Sequence, residues 1–292
     1  MRRRATIRDV AAAAGCSTAS VSRALNGEGQ VSAELRRRVR EAADRLGFRA
    51  SAIGRALQSR RSAVLGVMIP SIANPVFAEA VEGASAEAEA RGRQLLLACA
   101  DYDPARELDA VRMLIDRSVD GMLLTVADAA TSSALDAVRA ANVPTVLMFN
   151  DTTESVAKAA PDNRAAGAAV AARLVQAGRR RVGFVAGRFA TSDRSRRRFE
   201  GLASALAALG GPTPALLEVD YGETDHRGAL AGLFNRAPEI DALVCSNDML
   251  ALAVMAGLRA LDRRCPEEVA VIGFDGLPLG AMVAPSLATV AT

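Results

Sequence analysis

From residue 62 onward the chain repeats one theme: short apolar runs alternate with amphipathic helical stretches. Val64–Ile69, Leu95–Cys99, Gly121–Val126, Thr145–Phe149, Val182–Ala186, Leu217–Asp220, Ala242–Cys245 and Val269–Phe274 have the length and apolar content of buried strands. Between them, Val76–Arg91, Ala105–Asp116, Ala165–Ala177, Phe199–Leu209 and Leu250–Leu261 carry apolar residues at helical spacing. A helix inserted between two strands leaves room for a crossover, so the alternation predicts parallel sheets covered on both faces. The pattern runs once before and once after about residue 162, which predicts two α/β lobes of similar topology with a cleft between them. The first lobe is expected over about 63–161 and the second over about 162–287.

The first sixty residues belong to a different regime. Residues 1–61 hold 14 Arg against 5 acidic side chains, a net of +9, while the remaining 231 hold 22 basic and 28 acidic residues, a net of −6. A small basic module on a larger acidic body is the layout of a nucleic-acid binder with a separate sensing domain. Thr6-Ile7-Arg8-Asp9 fits a capping box, followed by Ile7, Val10, Ala11 and Ala14 at helical spacing and a stop at Gly15. Ser17 is placed to cap a short second helix over Thr18–Leu25, and Ser32 a third over Ala33–Leu46, ended by Gly47. Helix, tight glycine turn, short helix and supporting helix make a helix-turn-helix, whose second helix enters the major groove. Its exposed positions would be Thr18, Ala19, Ser22 and Arg23, of which Arg23 can read guanine with two hydrogen bonds. Arg36, Arg37 and Arg38 on the third helix would add sequence-independent attraction to phosphates.

Several classes are disfavoured by what the chain lacks. The cysteines Cys16, Cys99, Cys245 and Cys265 are scattered and His226 is the single histidine, a poor basis for a metal site, a disulfide framework or a histidine-dependent enzyme. No catalytic residue, metal or cofactor is therefore expected, and His226 is expected on a helix surface. No apolar run reaches about 18 residues, so no membrane-spanning helix is expected. The basic start Met1-Arg2-Arg3-Arg4 fails as a signal peptide, because Asp9 follows quickly and Ala11–Ala14 is too short for its apolar core.

The stretch from Thr6 to Asn26, with Val31-Ser32 and Leu46-Gly47-Phe48, resembles the opening of the lac-repressor/galactose-repressor family of bacterial transcription factors. The resemblance implies a helix-turn-helix domain over 1–48 and a linker with a hinge helix over 49–62, in which Leu57 would wedge into the operator's minor groove. Two departures stand there: Ala50-Ser51 where the family has Pro-Asn, and Gly54 in place of a helix former. It also implies a periplasmic-binding-protein-like body over 63–292, through Asn74-Pro75-Val76-Phe77, Asp162-Asn163-Arg164, Ser246-Asn247-Asp248, Ile272-Gly273-Phe274-Asp275 and Pro285-Ser286-Leu287, with the chain crossing back to the first lobe at 288–292.

Ligands in such sheets bind beyond the carboxyl ends of the strands, where these landmarks fall. Asp, Asn and Arg pair with vicinal hydroxyls, and an aromatic ring covers an apolar sugar face. Phe77, Asn150, Arg198, Asn247 and Asp275 are the candidates, with Tyr221 a weaker one. Arg198 stands in the family's Arg-x-x-Gly pattern and one turn before Leu202, whereas Arg196 and Arg197 are expected on a solvated face. Gly276 replaces an acidic residue and Arg179 a histidine, which would shift ligand preference. Family members continue past Val290 with a helix for the first lobe and strands for the second, so a chain stopping at Thr292 is expected to be less stable than its relatives. The function implied is a cytoplasmic, nucleoid-associated repressor that binds a pseudo-palindromic operator as a homodimer. A small carbohydrate-like effector would control it. A transport solute-binding protein shares the body but not the basic module.

Overall fold

Thr6 and Asp9 close the capping box that the sequence predicts. The Thr6 amide donates to Asp9 Oδ2 at 2.7 Å and the Asp9 amide to Thr6 Oγ1 at 3.4 Å. They start α1 (Ile7–Ala14), which Gly15 ends in the left-handed conformation at φ 63°. Ser17 Oγ accepts the Ser20 amide at 3.1 Å to start α2 (Thr18–Asn26), and Ser32 accepts the Leu35 amide at 3.2 Å to start α3 (Ala33–Leu46). Val10, Ala14, Val21, Ala24, Val39 and Ala42 form the buried centre of the three helices. Residues 5–26, 30–48, 62–152 and 156–292 are described by the structure, a computed structural model. Two compact units, 1–62 and 63–292, divide the chain. Leu57, Gly54 and Ala50-Ser51 lie outside the described residues.

In the second unit each lobe is one five-stranded, all-parallel sheet. The first contains β1 (Val64–Ile69), β2 (Gln94–Cys99), β3 (Gly121–Leu124), β4 (Thr145–Met148) and β5 (Ala157–Ala159), in the order β2-β1-β3-β4-β5. Its helices are α4 (Pro75–Ala90), α5 (Pro104–Asp116) and α6 (Ser133–Ala140). The second contains β6 (Val182–Gly187), β7 (Ala215–Val219), β8 (Ala242–Cys245), β9 (Ala270–Asp275) and β10 (Ala288–Ala291), in the order β7-β6-β8-β9-β10. Its helices are α7 (Asn163–Gln176), α8 (Asp193–Ala208), α9 (Arg227–Arg236) and α10 (Asp248–Ala260). Counted within each lobe the strand order is the same, so each sheet reverses its winding beside its own first strand. Period-two alternation serves both faces: Leu243 and Cys245 of β8 pack with Leu230, Val254 and Leu258, while Ala242 and Val244 pack with Phe184, Leu202 and Phe274.

The end of the chain departs from expectation. Residues 288–291 do not return to the first lobe but pair in parallel with β9, from Ala288 opposite Ile272 to Ala291 opposite Asp275. Gly276 belongs to that arrangement: at φ 79°, a Cβ there would lie 2.9 Å from Ala291 Cα, so a side chain would be strained and would crowd β10. Arg179 is likewise not in the cleft. Its guanidinium donates to the carbonyls of Asp241, Glu268, Pro266 and Glu267 at 2.8–3.2 Å, tying loops at the opposite ends of the strands.

Candidate functional site

Parallel sheets of this order bind ligands at the crevice where the strand order reverses. In the first lobe that crevice follows β1 and β3, and in the second β6 and β8. Asn74, after β1, caps α4 by accepting the Val76 amide at 3.2 Å. Phe77, 4% exposed, meets Phe149 edge-on with centroids 5.2 Å apart. Tyr102 follows β2 with φ 57°, preceded by Asp101 at φ 49°, an uncommon pair of left-handed residues that holds the Tyr102 ring 4.8 Å from Tyr221 of the second lobe. The Tyr221 hydroxyl is 3.0 Å from Ser195 Oγ and 2.7 Å from Ser246 Oγ.

At the floor of the second lobe lies Arg198, 6% exposed. Its Nε donates to Asn163 Oδ1 at 2.9 Å and its Nη1 to the Ser246 carbonyl at 2.5 Å, while the guanidinium covers the Phe274 ring at 4.6 Å. Nη1 is also 3.8 Å from Asp275 Oδ1. Burial pushes Asp275 up to about 7, against the pull of the Arg198 guanidinium. Asp275 Oδ2 is buried without a hydrogen-bond partner, as is Arg194 Nη2. Asn247 accepts the Leu250 amide at 2.7 Å and so caps α10 while also lining the cavity. Phe77, Arg198, Asn247 and Asp275 thus meet around one cavity of about 30 Å³, together with Tyr102, Arg194 and Tyr221.

Asn150 is not among them. It is fully buried, and its carboxamide is spent: Oδ1 accepts the Val126 amide at 2.9 Å, and Nδ2 donates to the Val126 carbonyl at 2.8 Å and to Asp193 Oδ1 at 2.9 Å. It belongs to a clasp between the lobes that sequence reasoning missed. Helix α8 begins at Asp193, two turns earlier than its apolar face suggests, and those first turns reach into the first lobe. The Asp193 amide donates to the Ala127 carbonyl at 2.7 Å, and Arg194 Nη1 donates to the Val126 carbonyl at 2.7 Å. Arg196 pairs with Asp128 at 2.7 Å and Arg197 approaches Asp151 at 3.7 Å, so neither arginine lies on the expected solvated face.

Glu107, 2% exposed, accepts the Ala127 amide at 2.7 Å beside this clasp. Burial lifts its carboxyl from the ordinary 4.5 to about 7, so folding takes up a proton there. The stability that this group contributes is complete below about 4.5 and is lost as pH rises through about 7. A shift of this size corresponds to about 3 kcal/mol. Glu107→Gln is expected to flatten the fall in melting temperature between pH 5 and pH 8; an unchanged pH profile would contradict the assignment.

In the first unit, Thr18, Ala19 and Arg23 are exposed along one side of α2 and Ser22 is half-buried. The third helix does not offer three free cations. Arg37 sits between Glu34 at 2.8 Å and Glu41 at 2.9 Å, and Arg38 donates to the Ala14 carbonyl at the end of α1. Arg37 remains exposed in these pairs, whereas the Arg38 guanidinium is turned toward α1. No helix among the described residues is long and apolar enough to cross a membrane.

Comparison with known proteins gives the same division. Residues 6–51 match the family of bacterial regulatory proteins, lacI family, and residues 62–292 match periplasmic binding proteins and sugar binding domain of LacI family. The chain is 33% identical to the HTH-type transcriptional regulator GntR of Pseudomonas aeruginosa, covering 99% of this chain and 84% of that protein. It is 28% identical to the ribose operon repressor of Halalkalibacterium halodurans, over 98% and 84% of the two chains. The crystal structure of a LacI-family transcriptional regulator from Silicibacter pomeroyi superposes with a TM-score of 0.85 at 30% identity, covering 98% of this chain and 86% of that one. With a capped helix-turn-helix and two like-wound lobes, the chain belongs to the LacI family of bacterial regulatory proteins and is a DNA-binding transcriptional regulator.

Proposed function

We propose that the protein represses transcription as a homodimer on a pseudo-palindromic operator in the bacterial cytoplasm, at the nucleoid. A carbohydrate-like effector held between the lobes of 63–292 would set its DNA affinity. The observation that carries the effector reading is the meeting of Arg198, Asn247 and Asp275 with Phe77 at two facing switch points. Donor, acceptor and ring stand together as a polyol requires. Arg194 Nη2 and Asp275 Oδ2, a donor and an acceptor of residues in the cavity lining, are buried without hydrogen-bond partners, which suits ligand hydroxyls. Asn150 serves the site from behind, by holding the clasp.

Effector binding favours one lobe arrangement over another, and that differential affinity is what couples the cleft to DNA. On the DNA side, Thr18, Ala19 and Ser22 face the major groove and Arg23 reads a guanine, with Leu57 as the minor-groove wedge. A single helix-turn-helix reads one half-site, so a twofold dimer matches a palindrome. Arg23→Ala is expected to weaken binding to the specific operator by about 1–3 kcal/mol and to scrambled DNA by less. A gel-shift series on both DNAs measures this, and equal losses on the two would overturn base reading by Arg23.

A further inference from the structure

Lys158 is the only lysine in the chain; every other strongly basic side chain is an arginine. A guanidinium keeps its proton at all ordinary pH, whereas a lysine ammonium releases a minor fraction of free amine that can attack an acyl carbon. The chain therefore presents one side-chain amine to acylating reagents. Lys158 is the middle residue of the edge strand β5, whose three residues are all exposed, and its side chain is 37% exposed. Its neighbours tie it to the contact between the lobes. Nζ donates to Asp151 Oδ1 at 2.7 Å and to the Thr152 carbonyl at 2.5 Å. The other oxygen of that carboxylate, Asp151 Oδ2, faces Arg197 Nη1 of the second lobe at 3.7 Å, beyond hydrogen-bond length. Arg197 Nε is buried with no hydrogen-bond partner. A guanidinium and a carboxylate pair best through two parallel hydrogen bonds, and between Arg197 and Asp151 neither forms. One carboxylate is thus held closely by the lysine of its own lobe and only loosely reaches the arginine of the other.

We infer that Lys158 is a regulatory acylation site, whose modification by an acyl phosphate passes Asp151 from Lys158 to Arg197 and tightens the contact between the lobes. The transfer balances without an oxidant or reductant. The free amine of Lys158 attacks the acyl carbon, a C–N bond forms, and the C–O bond to the phosphate breaks. Its electron pair leaves on inorganic phosphate, and the surplus amine proton goes to water. The product is a neutral amide with one N–H donor in place of three and no charge. Among the described residues Arg197 is then the one cation left beside Asp151, and its unpartnered Nε supplies the second bond of the pair. The pair is partly exposed, so its effect is modest, but an equilibrium between lobe arrangements responds to any difference in contact between them.

Incubation of the full chain with acetyl phosphate, followed by peptide mass spectrometry, tests the site. The side-chain acetyl group should stand on Lys158, and Lys158→Arg should carry none. A double-mutant cycle tests the consequence. Arg197→Gln should lower the melting temperature at least twice as far in the acetylated protein as in the unmodified one. The same ratio is expected in Lys158→Gln, which carries a neutral amide, against Lys158→Arg, which keeps the charge. Asp151→Asn should abolish the difference, because the carboxylate carries it. No acetyl group on Lys158 of the folded chain would overturn the site. An equal cost of Arg197→Gln in the two forms, or a difference that survives Asp151→Asn, would overturn the passage of Asp151 between the lobes. Neither readout involves a sugar or DNA, so failure here leaves the effector reading standing.

Discussion

Arg198→Ala is expected to destabilise the 63–292 body by about 3–5 kcal/mol and to abolish the effector response. The side chain is not a free reader waiting for ligand. Burial opposes its charge, and Asp275 is the chief group that favours it. Its removal leaves the Asp275 carboxyl without its cation 3.8 Å away and takes the donors from the Ser246 carbonyl and Asn163 Oδ1. A buried group stripped of its partner bears the full desolvation cost, which is why the loss exceeds that of an ordinary hydrogen bond. For a body of this size the melting temperature should fall by roughly 10 °C. Arg198→Lys keeps the charge but not the fork that spans Asn163 and Ser246, so it should recover part of the stability and little of the binding. Melting temperatures within about one degree of the parent protein's would show that Arg198 is dispensable to the fold.

The second large effect lies a turn away. Helices α7 and α8 cross at two glycines: a Cβ on Gly201 would lie 2.0 Å from the Arg164 carbonyl oxygen, and one on Gly167 would lie 2.1 Å from that of Arg198. Neither contact can be relieved by a side-chain rotation, because backbone is met on both sides. Gly201→Ala must push the helices apart, at about 1–3 kcal/mol for overpacking of this kind. The same displacement pulls Asn163 on α7 away from Arg198 on α8, whose hydrogen bond is 2.9 Å long. Effector affinity is therefore expected to fall at least tenfold in calorimetry while the helix-turn-helix remains intact. Unchanged affinity would mean that this helix pair does not position Arg198.

Both effects rest on features that were unevenly legible in the sequence. The strands Val64–Ile69 and Ala242–Cys245 stand where their apolar runs place them, and the capping box at Thr6 and Asp9 forms as written. Local chemistry suffices there, because a run of Val, Leu and Ile between helices has few other places to go. β5 escaped because Ala157-Lys158-Ala159 is three exposed residues at a sheet edge, with no alternation to read. The start of α8 escaped for the opposite reason. Asp193, Arg194 and Ser195 look like surface and are buried, satisfied by backbone groups of the other lobe that no local pattern reveals. Asn150 follows β4 as its place in the sequence implies, but its hydrogen bonds are taken by Val126 and Asp193. His226 reads as surface because a lone histidine carries no pattern, and only the packing before α9 buries it. Sequence located the crevice; long-range contacts decide which side chains face into it.

Operator affinity measured with and without a bound sugar, in the parent protein and in Asp275→Asn, tests the central claim most directly. Asp275 touches the cavity and lies outside the DNA-binding unit. A sugar that binds the parent protein in calorimetry should shift its operator affinity at least tenfold, a coupling of about 1.4 kcal/mol or more. The same sugar should leave the operator affinity of Asp275→Asn unmoved. An operator affinity that ignores saturating sugar in the parent protein, or an equal shift in the variant, would contradict the account.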